Sequence, residues 1–436
     1  MKFGTDGVRG VANTDLTAAF ALDLGRAAAR VLDGREAVVG GDTRVSTAML
    51  EAAFVAGLAS EGVVVHRLGV VPTPVVAFEA ARRDAIGAVI SASHNPFHDN
   101  GIKLFARGGT KLPDEVERRI EADVVALPQP TGEPAQLLDV EDIPAYRDHV
   151  LNALEGRDLR GMYVVVDAAN GAGSDLAARL FRDAGAEVMA IHDRPDGRNI
   201  NDGCGATDTS SLAGAVRSMG ADLGVALDGD ADRLMAVDHA GKLVDGDHII
   251  AICALDLRHR GLLRDDALVV TVMTNLGFRL AMEATGIRVV ETAVGDRYVL
   301  EALDAGHLSL GGEQSGHVIF RDLATTGDGL LTGIVLADAV KRSGRRLADL
   351  AAAAMTRLPQ VLVNVPVGEP MADAADRFAE QIAGVETELG DHGRVLVRPS
   401  GTEPLVRVMV EAPTEAAARA AANRLAAVVQ TAAATC

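Results

Sequence analysis

The chain is organised around the stretch Ile86–Lys103, whose sequence is IGAVISASHNPFHDNGIK. It opens with an apolar run typical of a buried strand, which stops abruptly in small, polar and turn-forming residues. This pattern predicts that the hydroxyl of Ser93 lies on a tight turn at a strand end, where open α/β sheets place ligand sites. Because a serine hydroxyl is a poor nucleophile until it is activated, the nearby His94, His98 and Lys103 are candidate partners. A β-turn without chemical function would have a similar composition, so the remaining loops decide its role.

The overall composition restricts the size class and the partners of the protein. A chain of 436 residues is too long for one core, and we expect roughly two to four domains. The formal net charge of −19 argues against nucleic acid and anionic membranes as partners, because both require a basic face. No apolar run reaches about 18 residues, so no membrane-spanning helix is expected. Widely spaced cysteines (Cys204, Cys253 and Cys436) and the lack of an apolar leader predict reduced thiols and a cytoplasmic location.

Strand-like and helix-like segments alternate along the first part of the chain, which predicts parallel βαβ units. Three segments share a β-branched run, a polar loop and a following helix: Ala37–Thr43, Met162–Gly173 and Ala267–Gly277. We interpret them as one module used three times. A smaller last segment begins near Leu358, with a predicted helix over Met371–Ile382. In its final helix one apolar stripe is expected to face the core: Ala418, Ala421, Ala422, Leu425, Val428 and Val429.

The second motif is DGDADR, which follows the apolar run LGVAL. The strand delivers Asp228, Asp230 and Asp232 at alternate positions, so their carboxylates can converge on one hard cation if the glycine lets the loop curl. Magnesium fits better than calcium, since an EF-hand loop would carry a glutamate where His239 stands, and zinc would want His or Cys. Three carboxylates this close would repel one another without a cation, and Arg233 follows directly. A solvated acidic turn is the alternative.

Two further loops carry residue types suited to a sugar phosphate. GTDGVRG, at 4–10, is a glycine-rich loop whose backbone can approach a ligand, with Arg9 as the nearby cation. GGEQSGH, at 311–317, holds Glu313 and Ser315 one residue apart. A carboxylate and a hydroxyl on one side of a loop suit the vicinal hydroxyls of a sugar. Each stretch taken alone is equally compatible with an ordinary loop or turn.

The last loop, RPSGTEP at 398–404, predicts a phosphate-binding site. Arginine suits bidentate phosphate contacts, and hydroxyls and a glycine backbone add donors. The residues expected to form this site are Arg398, Ser400, Gly401, Thr402 and Arg407. A hairpin turn with ordinary surface arginines is the alternative.

A loop rich in glycine and asparagine, NINDGCGAT at 199–207, suggests no chemistry by itself. Its Cys204 has no histidine or Lys-Arg cluster beside it in sequence that would lower the thiol pKa. We therefore expect a small buried thiol rather than a nucleophile.

Together the loops supply a hydroxyl nucleophile, a divalent-metal site, a site for sugar hydroxyls and a phosphate site. This combination is typical of an enzyme that transfers phosphoryl groups on sugar phosphates. With GTDGVRG, SASHNP, DGDADR, GGEQSGH and RPSGTEP in this order, the chain resembles the α-D-phosphohexomutase superfamily over its whole length. Gln314 and the following TTGDG favour the members that act on glucosamine phosphates. Ala206 stands where relatives often carry Ser.

The resemblance implies an α/β fold of four domains around a central cleft. Three similar mixed α/β domains would precede a smaller C-terminal α+β domain. The expected domains are 1–145 with the serine loop, 146–245 with the metal loop, 246–357 with the sugar loop, and 358–436 with the phosphate loop.

The resemblance also implies that Ser93 is carried as phosphoserine and binds one Mg²⁺ together with the three aspartates. Phosphoserine would convert glucosamine 6-phosphate to glucosamine 1-phosphate through a 1,6-bisphosphate, which serves as intermediate and activator. The product would supply UDP-N-acetylglucosamine and cell-wall synthesis. Arg9 and Lys103 would add cations, and either Lys103 or His94 would handle the hydroxyl proton; the sequence leaves this choice open.

Binding roles follow from the same resemblance. Arg233, Glu313 and Ser315 would contact the substrate, with the last two reading the sugar hydroxyls in both orientations. Arg398, Ser400, Gly401, Thr402 and Arg407 would hold the phosphate that is not reacting. The expected partner is a small sugar phosphate, on a monomer or homodimer. The alternatives are a phosphomannomutase/phosphoglucomutase, a non-catalytic sugar-phosphate sensor and a phosphatase.

Overall fold

The structure is a computed structural model that describes residues 2–4, 6–130, 133–368, 371, 373–399 and 404–434. The chain divides into two compact units: Met1–Met273 with Arg288–Ala354, and Thr274–Ile287 with Met355–Cys436. Among the residues that the structure describes, three sheets lie in the first unit and one in the second. Among the described residues, no helix combines the length and apolarity that a membrane span requires.

The first sheet is mixed, in the order β1-β5-β4-β2-β3-β6. Its strands are β1 (Val8–Val11), β2 (Glu36–Gly41), β3 (Val64–Val70), β4 (Ile86–Ile90), β5 (Asp99–Phe105) and β6 (Leu137–Asp139). Its helices are α1 (Ala18–Leu32), α2 (Thr47–Ser60), α3 (Thr73–Arg83) and α4 (Asp114–Val125). The expected parallel pairing holds for β2 with β3 and β4, but β5 runs antiparallel to β4. Since Val89 pairs with Lys103, this hairpin returns Lys103 to the end of β4 where the serine turn begins.

The second sheet has the order β11-β10-β9-β7-β8. Its strands are β7 (Tyr163–Asp167), β8 (Glu187–Ile191), β9 (Leu223–Leu227), β10 (Leu234–Asp238) and β11 (Leu243–Val244). Helices α5 (Pro144–Asn152), α6 (Leu176–Asp183) and α7 (Ser210–Met219) accompany it. Strands β9 and β10 are antiparallel, with Leu227 opposite Leu234, so the motif DGDADR is the connection of a hairpin.

The third sheet has the order β13-β12-β14-β15. Its strands are β12 (Ala267–Thr271), β13 (Arg288–Thr292), β14 (Leu310–Gly312) and β15 (Val318–Phe320). The helices in this part of the chain are α8 (Gly246–His259), α9 (Leu276–Ala284, in the second unit), α10 (Asp296–Gly306), α11 (Gly329–Ser343) and α12 (Leu347–Ala354). Gly312 pairs with Val318, which makes residues 313–317 the turn of a second hairpin.

The second unit contains an antiparallel sheet in the order β16-β18-β17. Its strands are β16 (Gln360–Pro366), β17 (Arg394–Pro399) and β18 (Leu405–Glu411), and its further helices are α13 (Ala374–Arg377), α14 (Ala379–Leu389) and α15 (Glu415–Ala434). The continuous helix expected over 371–382 is wrong, because the backbone leaves helical geometry at the buried Phe378 (φ −109°, ψ 16°). In α15 the expected stripe is buried except for Val428, which lies at its edge and is 36% exposed.

Candidate active site

The serine turn follows β4 directly and is held in an unusual backbone conformation. Ser93 has φ +52°, in the left-handed region that non-glycine residues rarely adopt. Its N–H donates to Ser91 Oγ at 2.9 Å, and Ser91 Oγ in turn donates to Asp42 at 2.6 Å. The Ser93 Oγ donates to Asp228 Oδ2 at 2.6 Å. The predicted nucleophile and the first predicted metal ligand are therefore in direct contact.

The acidic loop brings the three predicted metal ligands together. Oxygen atoms of Asp228, Asp230 and Asp232 lie within 4.8 Å of one another, and all three side chains are buried. A Cβ on Gly229 would lie 2.4 Å from the carbonyl oxygen of Ser93, so only glycine permits this approach to the serine turn.

The donor set of this loop fits a hard divalent cation. Within the described residues, the buried atoms Asp230 Oδ1 and Asp232 Oδ1 have no hydrogen-bond partner, which is costly unless an ion or water satisfies them. Burial and the charges of Asp232 and Asp230 hold the pKa of Asp228 well above its usual range. A cation would relieve that repulsion, and carboxylates are the ligands that Mg²⁺ and Ca²⁺ prefer.

Lys103 lies among these carboxylates. Its Nζ is 2.8 Å from Asp230 Oδ2, 3.2 Å from Asp232 Oδ2 and 2.8 Å from Asp6 Oδ2. Burial opposes its charge, but the three carboxylates outweigh that cost and hold the pKa of Lys103 well above its usual range. In this arrangement Lys103 is a fixed cation.

His94, the residue that follows Ser93, lies beside the serine hydroxyl. Its Nδ1 is 3.4 Å from Ser93 Oγ. Burial, together with the charges of Arg233 and Arg9, lowers the pKa of His94 to about 4. His94 is thus neutral at pH 7, whereas the exposed His98 pairs with Asp99 instead.

A cavity of about 440 Å³ in the first unit borders the serine turn, the acidic loop and the Glu313 turn. Its lining includes five residues predicted from the sequence: Arg9, His94, Asp232, Arg233 and Glu313. The Glu313 carboxylate accepts the N–H of Gly295 at 3.2 Å. Ser315 lies in the same turn but does not line this cavity, and no described residue hydrogen-bonds to its buried Oγ.

The cavity wall also includes Asp6, Asp296 and His317, to which the sequence analysis assigns no role. Asp6 accepts hydrogen bonds from Arg9 and from Lys111, the latter at 2.9 Å. Its place in the same glycine-rich loop as Arg9 is the signal that sequence reasoning can use. The Nε2 atom of the buried His317 ring lies 3.1 Å from the Gly327 nitrogen and 3.5 Å from Asp296, and its Nδ1 lies 3.6 Å from Asp232.

The second unit contains the two predicted arginines of the phosphate loop. Arg398 and Arg407 are direct partners in the β17–β18 register, so their side chains share one face of the sheet. Burial and the charge of Arg407 lower the pKa of Arg398. Two adjacent guanidinium groups favour an anionic ligand. Ser400, Gly401 and Thr402 lie outside the described residues.

The thiol of Cys204 is buried, as expected. Burial, with the nearby carboxylates of Asp167 and Asp202, raises its pKa to about 12. This environment suppresses the thiolate and so argues against a nucleophile.

Comparison with known proteins gives matches in chain order to four domains of one family. These are described as phosphoglucomutase/phosphomannomutase alpha/beta/alpha domain I at 1–129, domain II at 144–241, domain III at 245–358 and the C-terminal domain at 362–428. Phosphoglucosamine mutase of Frankia alni is 57% identical over 99% of this chain and 98% of its own length. The same enzyme of Thermobifida fusca is 56% identical over 98% of each chain.

Solved structures share the fold over nearly the whole chain. A putative phosphomannomutase of Thermus thermophilus superposes with a TM-score of 0.81 at 26% identity, covering 99% of each chain. N-acetylphosphoglucosamine mutase of Aspergillus fumigatus, solved with GlcNAc-6P and magnesium, superposes with a TM-score of 0.71 at 20% identity, covering 99% of this chain and 96% of that one.

Proposed function

The chain belongs to the phosphoglucomutase/phosphomannomutase family, and we propose that it is a phosphoglucosamine mutase, which interconverts glucosamine 6-phosphate and glucosamine 1-phosphate. The observation that carries the chemistry is the 2.6 Å contact between Ser93 Oγ and Asp228, beside two carboxylates with unpartnered oxygens. The amino-sugar substrate is supported by the two relatives named phosphoglucosamine mutase, which match over almost the whole chain.

In this proposal Ser93 carries the phosphoryl group as phosphoserine. The hydroxyl of the sugar phosphate attacks the phosphorus, the P–Oγ bond breaks, and the hydroxyl proton leaves to a base. Of the two candidates for that proton, His94 is neutral, with Nδ1 3.4 Å from Ser93 Oγ. Lys103 is held protonated by three carboxylates in this arrangement and cannot accept the proton while it stays paired with them.

Asp228, Asp230 and Asp232, with Ser93, would hold Mg²⁺. When bound, this ion offsets negative charge on the transferring phosphoryl group. Arg9 and Arg233 line the same cavity and add positive charge for the phosphate of the substrate.

The first transfer yields glucosamine 1,6-bisphosphate and free Ser93. After the bisphosphate turns end for end, Ser93 Oγ attacks the other phosphorus and regains a phosphoryl group, which releases the isomer. Glu313 and Ser315 are assigned to the sugar hydroxyls. The phosphate that is not being transferred is assigned to the loop formed by Arg398, Ser400, Gly401, Thr402 and Arg407.

A substrate panel tests this function. Turnover of glucosamine 6-phosphate, mannose 6-phosphate and glucose 6-phosphate is compared with and without Mg²⁺ and a hexose 1,6-bisphosphate. We expect the highest kcat/KM on glucosamine 6-phosphate and loss of turnover without Mg²⁺. A preference for mannose or glucose phosphate would reassign the substrate, release of inorganic phosphate would indicate a phosphatase, and binding without turnover would indicate a sensor.

A further inference from the structure

Two side chains, from loops beside two different sheets, hold the same pair of carbonyl groups in the serine turn. The Arg44 guanidinium donates to the carbonyl oxygens of Ser93 at 2.9 Å and Asn95 at 2.8 Å. The side-chain amide of Asn201 donates to the same two oxygens at 2.9 and 3.2 Å. Neither Arg44 nor Asn201 lines the cavity of the candidate active site.

Arg44 holds the serine turn from within the first sheet region. Its side chain is buried and pairs with Asp42 at 2.7 Å. The same guanidinium also donates to the carbonyl oxygens of Pro96 and Asp99, the latter at 3.0 Å. Because the guanidinium group is rigid and planar, these contacts hold the four carbonyl groups of the turn in fixed positions relative to one another.

Asn201 reaches the turn from the region of the second sheet, in the loop for which the sequence suggests no chemistry. The backbone of this loop is anchored: the Asn201 N–H donates to the Ala169 carbonyl at 3.0 Å, and the Gly205 N–H donates to Asp167 at 3.0 Å. The second sheet also carries the acidic loop with Asp228. Asn201 therefore ties the backbone of Ser93 to the sheet that positions its metal-binding partner.

The backbone of Ser93 needs such support. A left-handed serine persists only where its surroundings over-determine it, and its carbonyl is already packed closely against Gly229. We propose that Arg44 and Asn201 are positioning residues that clamp the Ser93 and Asn95 carbonyls and so keep Ser93 Oγ in register with Asp228. This inference rests on the proposed function, in which Ser93 Oγ carries the phosphoryl group.

The variant Asn201→Ala tests the clamp, with Asn199→Ala as its matched control. Asn199 lies in the same loop, but its amide donates to the Arg194 carbonyl at 3.0 Å instead of to the serine turn. Misplacement of reacting groups by about 1 Å can cost roughly 100-fold. We therefore expect kcat on glucosamine 6-phosphate to fall by about ten- to 100-fold in Asn201→Ala. We expect KM to change by less than about threefold, because Asn201 contacts only the protein backbone.

A second measurement follows the phosphoryl group itself. Dephosphorylated protein is mixed with glucosamine 1,6-bisphosphate, and phosphorylation of Ser93 is followed by intact mass. We expect slower phosphorylation in Asn201→Ala than in the wild type, an intermediate rate in the folded Arg44→Lys variant, and a wild-type rate in Asn199→Ala. Lysine keeps the positive charge but lacks the planar guanidinium group. A partial loss of phosphorylation rate in Arg44→Lys therefore separates the contribution of geometry from that of charge.

Three results would overturn the clamp: wild-type kcat in Asn201→Ala, equal losses in Asn201→Ala and Asn199→Ala, or a loss confined to KM. Failure of the proposed function looks different. In that case the wild-type protein itself shows no glucosamine-phosphate turnover and no phosphorylation of Ser93. An active wild type beside an unaffected Asn201→Ala variant refutes the clamp alone.

Discussion

The serine turn with its acidic loop, in the first unit, and the β17–β18 hairpin, in the second, use charge in opposite ways. In the first region Lys103 contacts three carboxylates, and the contacts raise its pKa. In the second region two arginines are register partners, and the charge of one helps to lower the pKa of the other. The first region is thus already organised around opposite charges, whereas the second presents like charges that favour a bound anion.

The largest expected effect comes from removing the oxygen at the centre of the first region. Ser93→Ala deletes the atom that we propose carries the phosphoryl group, so we expect turnover of glucosamine 6-phosphate to fall by at least about 10⁴-fold. Ser60→Ala, which removes a hydroxyl that bonds only the carbonyl of Gly57 among described residues, is the control and should keep wild-type turnover. Appreciable mutase activity in Ser93→Ala would contradict the phosphoserine scheme.

Metal binding should stabilise the folded protein, and this effect can be measured as a shift in Tm that does not depend on an activity assay. A ligand that binds only the native state adds about 2.7 kcal/mol at 100 times its Kd. We expect Mg²⁺ to raise the Tm of chelator-treated protein and to have little effect on Asp230→Asn, which loses one of the clustered carboxylates. Asp139→Asn, at an exposed position, should respond to Mg²⁺ like the wild type. An undiminished shift in Asp230→Asn would place the ion elsewhere.

Local patterns predict much of the fold, since the serine loop follows β4 and the acidic loop follows β9, and both are short apolar strands. The four-domain family and the mixed α/β sheets are confirmed, while the exact domain boundaries stay a prediction. The antiparallel return of β5 is absent from the sequence prediction, because hydrophobic pattern does not encode pairing direction. The broken helix at Phe378 reflects tertiary burial that outweighs local propensity.

The sequence predicts the site residues that belong to a recognisable motif, but it does not predict residues that contact the site from distant positions in the chain. Ser93, Asp228 and Lys103 stand in or beside recognisable stretches and are brought together. Arg44 and Asn201 are separated from the turn they hold by 49 and 108 residues. Their side chains contact backbone carbonyls, which every residue possesses, so no complementary residue type marks the pairing.

Asp328 is buried like the aspartates of the acidic loop, but its carboxylate pairs with a neutral hydroxyl instead of a cation. Its carboxylate accepts hydrogen bonds from Tyr146 at 2.9 Å and from the N–H of Leu331 at 2.9 Å. Burial raises its pKa from 3.8 to about 6. The carboxyl of Asp328 loses its proton at a lower pH in the unfolded chain than in the folded one. The free energy of unfolding therefore falls as pH rises from about 4 to about 6, by about 3 kcal/mol.

The variant Asp328→Asn should therefore lose less stability than the wild type between pH 4 and pH 7. Asparagine stays neutral and can still accept both hydrogen bonds. The measurement is the free energy of urea unfolding at both pH values, and the difference between the two proteins isolates Asp328 from other titrating groups. Identical pH dependence in both would mean that Asp328 ionises normally in the fold.

The smallest expected effect tests the second region. Arg407→Gln removes one of two adjacent cations, and a hydrogen bond to a charged group is worth about 1.5 kcal/mol or more, so we expect kcat/KM on glucosamine 6-phosphate to fall by about tenfold. Phosphorylation of Ser93 should persist, because the serine turn and acidic loop are intact. Arg419→Gln is the control, since Arg419 pairs with Glu415 on the exposed face of α15. If Arg407→Gln weakens turnover while phosphoserine still forms, the two regions have separate roles in phosphate binding and phosphoryl transfer. Loss of phosphoserine formation would instead show that the arginine pair takes part in the transfer itself.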